Sequence, residues 1–168
     1  MRLFAVLICL GCFIAAFLQL DHFLPRLPAK IAIRFDFDGT PNGWMGKDAF
    51  ALYYFFLLGV MLGVFGIFAA AVHKLPARFI NIPHRDYWLA APQRTATIGY
   101  LRELYLWTGA FTGIFIVGMM DMVLRLNLNA TPKLDSRVLY TACGAFALCM
   151  LCGIALVYWR FRKPDEKA

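Results

Sequence analysis

Charge is what this chain has least of. Asp, Glu, Lys and Arg make up 16% of its 168 residues, against about 25% in a soluble domain. Hydrophobic residues make up 61%, where a soluble domain holds about 45–50%. Together these figures exclude an ordinary water-facing surface. No constellation of catalytic residues stands out, so the expectation is a non-enzymatic protein with no cofactor. The net charge of +7 comes from basic residues scattered among polar segments, not from the clustered footprint that nucleic-acid binding needs. Carboxylates are missing from the second apolar run, and Gln19 is the one strongly polar side chain of the first. That counts against a small proton-coupled transporter, which needs a carboxylate deep in a helix.

The apolar residues come in blocks, the signature of a membrane protein. Residues 3–20 form a run broken only by Gln19, and at 1.5 Å per residue they cover about 27 Å, close to the hydrocarbon thickness. This run is longer than a signal-peptide core and ends without an Ala-x-Ala pattern, so it is expected to stay uncleaved. Further spans are expected at residues 50–72, 104–124 and 138–159. Gly59, Gly63 and Gly66 mark one face of the second, and Gly109 and Gly113 repeat the spacing in the third. Small residues four apart let helices approach closely, within the chain or in a homo-oligomer. The expected fold is an all-α integral membrane protein of one domain, residues 1–168. It has four transmembrane helices and a short strand-and-turn extracytoplasmic loop.

Between the second and third spans Pro76, Pro83 and Pro92 forbid one long helix, with a restart expected after Pro92. The N-terminus, this middle loop and the basic tail (Arg160, Arg162, Lys163, Lys167) carry ten Lys and Arg, and the other two loops carry seven. The positive-inside rule then puts both termini in the cytoplasm, with the bilayer itself as the first partner. Asp121 and Arg125 lie one turn apart at the end of the third span. They read as an interfacial i,i+4 pair more readily than as an ion or proton site. Asn129-Ala130-Thr131 fits a glycosylation acceptor, relevant only to a eukaryotic secretory setting.

The polar stretch Leu27 to Lys47 organises the rest. Ile31, Ile33, Phe35 and Phe37 alternate with Ala32, Arg34, Asp36 and Asp38, which predicts a strand over residues 31–38 with one buried apolar face. Residues 39–43, Gly-Thr-Pro-Asn-Gly, form a strong turn signal. Asp36, Asp38, Thr40 and Asn42 alternate like the oxygens of a calcium loop. Pro41 and Lys47, however, stand where such a loop needs Gly and a bidentate Glu. A turn-stabilising role for the two Asp side chains is the better reading. Trp44 is expected against the apolar face or at the membrane surface.

The segment resembles the signature of a bacterial membrane family known as domain of unknown function 1648. Leu27, Pro28, Gly39, Pro41, Asn42, Gly43, Trp44 and Lys47 carry the likeness. Ala32 and Arg34 stand where members have Pro and His, which removes the residue on which a metal-binding or pH-sensing role would rest. Residues 81–89, with Asn81, Pro83, Asp86 and Trp88, resemble the loop after the second span in such proteins. The same N-terminal domain occurs in immunity and signal-transducing proteins of the Sdp type. The resemblance therefore implies a bacterial cell (inner) membrane location. It also implies an envelope sensing, signalling or immunity module that binds a protein or peptide partner through the first extracytoplasmic loop. The candidate loop residues are Asp36, Asp38, Gly39, Pro41, Asn42, Gly43, Trp44 and Lys47.

The alternative is a thiol-redox or metal-binding protein. Cys9 and Cys12 share a face of the first span, and Cys149 and Cys152 share one of the fourth. If those helices are neighbours, four thiols could converge on a metal or form a dithiol relay. No basic residue stands beside either pair within its span, so packing as small apolar side chains is the weightier expectation.

Overall fold

The computed structural model describes residues 1–162; Lys163 and Lys167 of the basic tail lie outside them. Four of its helices are long and apolar enough to cross a membrane, and the only sheet among the described residues is one two-stranded hairpin. The fold is all-α and of the multi-pass membrane type.

Helix α1 (Arg2–Phe23) ends where Pro25 follows in a single 3-10 turn. The chain then forms an antiparallel hairpin of β1 (Lys30–Phe35) and β2 (Pro41–Gly46). Helix α2 (Lys47–Ala71) begins directly after β2, and Asp48 in its first turn suits the positive end of the helix dipole. Irregular turns lead to a single helical turn, α3 (Arg85–Trp88), which His84 enters in the left-handed conformation at φ 49°. Helix α4 (Ala91–Leu126) has Pro92 in its first turn, where a missing N–H costs nothing. Asp135 caps α5 (Ser136–Arg160), its carboxylate accepting from the Arg137 N–H at 2.9 Å.

The helices run up and down, so the hairpin meets the ends of all four. Helix α4 packs on both α1 and α2. Buried residues four apart on α2 (Phe50, Tyr54, Leu58, Leu62) face Cys12, Ala16 and Leu20 of α1 and Ile116 of α4. Gly109 and Gly113 permit that approach. A Cβ at Gly113 would lie 3.0 Å from the Cys12 sulfur, and one at Gly109 would lie 3.0 Å from Phe65 Cβ. The glycine face of α2 is different, since a Cβ at Gly59, Gly63 or Gly66 would meet nothing within 4 Å. The intrachain seam belongs to α4.

Helix α5 stands apart, with no buried residue along its length. It touches the rest through a Phe115–Phe146 stack, ring centroids 4.2 Å apart, and through contacts at its two ends. Helix α4 has 36 residues, about 54 Å at 1.5 Å per residue, and so overshoots a hydrocarbon layer about 30 Å thick. Its overhanging first turns hold Ile98 and Leu101 in a second apolar core with Val72, Ile80, Leu89 and Phe161.

Candidate functional site: the clamped hairpin

The hairpin is narrower at its tip than the alternating pattern implies. Residues 36–40 make the turn, in which the Asp36 N–H donates to the Thr40 carbonyl at 2.8 Å and the Gly39 N–H to the Asp36 carbonyl at 2.9 Å. Pro41 and Gly43, expected in the turn, belong to β2. Proline is tolerated as the first residue of an edge strand, because its missing N–H then interrupts no ladder. Strand pairing slips between Ala32 and Arg34 and again between Arg34 and Phe35. The alternation of half-buried Ile33 and Phe35 with exposed Arg34 survives these slips, and the strand ends at Phe35. Ile31 is fully buried as expected, but so is Ala32, while Phe37 is 91% exposed.

The two aspartates stabilise the turn. Asp38 accepts from the Thr40 N–H at 3.0 Å and the Thr40 hydroxyl at 2.7 Å. Those two bonds favour the charged form and hold its carboxyl below the usual carboxylate range. Asp36 accepts from the Asn42 side-chain amide. Gly39 adopts φ 83°, a conformation open to glycine, and its carbonyl accepts from the Leu134 N–H at 2.9 Å. The Lys47 N–H closes the base of the hairpin onto the Ala29 carbonyl at 3.1 Å.

Asn127, just past α4, is the residue that sequence reasoning missed. It is 2% exposed. Its side-chain oxygen accepts from the Ala32 N–H at 2.7 Å, and its amide donates to the Ala32 carbonyl at 3.0 Å and the Val123 carbonyl at 2.9 Å. One side chain thus satisfies both backbone groups of a buried strand residue. The family-like Pro would have no N–H at position 32 to offer, so Ala32 and Asn127 work as a pair. Ser136 adds a third link, its hydroxyl donating to the Phe37 carbonyl at 3.0 Å. The first and third loops are one unit.

A second polar chain crosses the spans below the hairpin. The buried Tyr54 hydroxyl donates to Gln19 Oε1 at 2.7 Å. Gln19 Nε2 donates to Asp121 Oδ1 and the Val117 carbonyl, both at 3.4 Å. Asp121 also pairs with Arg125 one turn on. The expected i,i+4 pair is present, and it extends to α1 and α2. Gln19 carries that information in the sequence, as the one polar residue of its span.

The cysteines do not come together. Cys12 packs against Gly113 and Leu62, whereas Cys149 and Cys152 are exposed on α5. Among the described residues no three His, Cys, Asp or Glu side chains gather as metal ligands would. The convergence required both helices to be neighbours, and α5 lies outside the α1–α2–α4 core. At the opposite end, Trp88 donates its indole N–H to the Phe161 carbonyl at 2.9 Å and packs edge-on against that ring. Asn81 and Asp86 are exposed and Pro83 is half-buried. The segment fastens the end of α5.

Residues 7–62 match a family model described as Domain of unknown function (DUF1648). The match takes in most of α1, the hairpin and the first half of α2. Residues 81–89 lie beyond it. Compared with curated proteins and with solved structures, the chain matches none.

Proposed function

We infer, from membership of the DUF1648 family to which this chain belongs through residues 7–62 and from the clamped hairpin, that the protein is a non-enzymatic sensing or immunity-type module of a bacterial inner membrane. Both termini lie in the cytoplasm, which puts the hairpin outside; the distribution of Lys and Arg supports this threading. A protein or peptide partner binds at the hairpin tip. The polar side chains there are spent on the turn itself, Asp36 on Asn42 and Asp38 on Thr40. What the tip offers outward is Phe37, with Trp44 half-exposed further down. Exposed aromatic anchors of this kind commonly dominate protein interfaces.

The observation that carries the reading is the Asn127–Ala32 clamp, with its companions Leu134–Gly39 and Ser136–Phe37. A partner that shifts the hairpin shifts the ends of α4 and α5 with it, since the two loops share these bonds. Binding outside is thereby linked to helices that reach the other side.

The immunity form of this proposal has a direct test. Cells lacking the chain should be sensitised to an extracellular peptide toxin encoded beside its gene, and the intact chain should restore protection. Phe37→Ser and Asp36→Ala should lose that protection at unchanged membrane levels. Equal protection by these variants, or a hairpin reporter that behaves as cytoplasmic, would refute it.

A further inference from the structure

A groove of about 450 Å³ lies at the root of the hairpin, on the side of the α4–α5 loop. Arg26 and Lys30 form its charged lining, and no carboxylate lines it. Neither cation has an acidic partner within 4 Å among the described residues; Arg26 meets only the His22 ring at 3.1 Å. Trp44 forms another wall, with Leu128 exposed beside it. The groove therefore presents guanidinium, ammonium and indole N–H groups, which donate and do not accept; Asn127 and Asn129 add neutral amides, that of Asn127 already turned onto Ala32. Its chemistry calls for an anion with an apolar neighbour.

Position selects the anion. The first candidate span, α1 with the 3-10 turn after it, ends at Arg26 and the third at Leu126, so the groove opens where the spans leave the hydrocarbon. Lipid phosphates occupy that level, and Trp is at home there. The volume falls in the range of small-molecule sites, about 300–1,000 Å³, and suits one headgroup better than a folded segment. We propose that Arg26, Lys30 and Trp44 bind the phosphate headgroup of an anionic phospholipid in the leaflet on the hairpin side, with an acyl chain descending past Leu128. The groove shares Trp44 with the proposed partner surface but does not reach Phe37, and the test varies only the two cations, which that surface does not use.

The test uses the full-length protein in a neutral detergent, read by native mass spectrometry. Wild-type protein should retain phosphatidylglycerol in preference to phosphatidylcholine from an equimolar mixture. The double variant Arg26→Gln/Lys30→Gln should weaken phosphatidylglycerol binding about twenty-five-fold, from two surface cations each worth roughly a fivefold change. Arg78→Gln/Arg85→Gln removes the same charge at the opposite end and should leave retention unchanged. Helical circular dichroism of both double variants checks that they fold. Equal retention by wild type and the groove variant would overturn the proposal, as would equal loss in both double variants. Inorganic phosphate binding as tightly as the lipid would overturn it in favour of a free-anion site. Hexaglutamate binding more tightly than the lipid would overturn it in favour of an acidic protein segment.

Discussion

Helix α5 is fastened at both ends, and the two fastenings are built from different chemistry. At the hairpin end, hydrogen bonds join backbone to backbone or to short polar side chains: Leu134 to Gly39, Ser136 to Phe37, and Asn127 holding the strand from the neighbouring helix. At the other end, aromatic rings gather on Phe161. Trp88 and Tyr100 each meet it edge-on with centroids 5.6 Å apart, and Arg160 lies 5.3 Å over the Trp88 ring. Directional bonds fail abruptly when one partner is removed, because the other is left unpaired. Ring packing is shared among several neighbours and tolerates loss of one polar atom. The hairpin end should therefore be the brittle one.

The largest effect is expected from Asn127→Leu. It leaves both backbone groups of Ala32 buried without partners, a cost of about 3 kcal/mol at typical desolvation penalties. Thermal unfolding in detergent and amide exchange at Ala32 would both register it. Gly39→Ala comes next. An added Cβ would sit 2.0 Å from the Leu134 carbonyl oxygen at a residue with φ +83°, so about 2 kcal/mol is expected from strain and loss of the loop contact. Faster exchange of the Leu134 amide should accompany it.

Trp88→Phe tests the other end. It deletes the indole donor to Phe161 and keeps a ring in place, for about 1 kcal/mol, with exchange rising near Phe161 and not in the hairpin. A larger loss there than for Asn127→Leu would reverse the comparison.

Asp38 supplies the smallest and most local effect. Its folded carboxyl is held below the usual range by Thr40. Its contribution is thus complete above the ordinary carboxylate pKa and is lost as pH falls through the lower folded value. The Thr40 amide should exchange faster in acid while the Ala32 amide does not follow. Asp38→Asn should remove that pH dependence.

Which of these parts could be read from the sequence follows from the range of the forces involved. The spans are written in long apolar blocks, and the lipid-facing preference of each block is local. Strand β1 shows the limit of periodicity. Its alternation predicts Ile31 correctly and Phe37 wrongly, because the strand ends at Phe35 and Phe37 falls in the turn. Strand β2, with Pro41, Gly43 and Gly46, has poor intrinsic strand preference and is held by pairing with β1. Asn127 is further out of reach. An asparagine just past a helix reads as an ordinary cap or loop residue, and its partner lies 95 positions earlier. The cysteine pairing fails for the same reason in reverse, since helical spacing fixes which residues share a face but not which helix that face meets.

Helix α4 turns its length into leverage. Asn127 fixes its final turn to the hairpin, and its first turns stand clear of the hydrocarbon some 54 Å away at the usual rise. A tilt of about 10° pivoting on the asparagine sweeps that far end through roughly 9 Å, nearly the spacing of two packed helices. Displacements too small to notice beside Ala32 would thus be large strokes at Ile98 and Phe161.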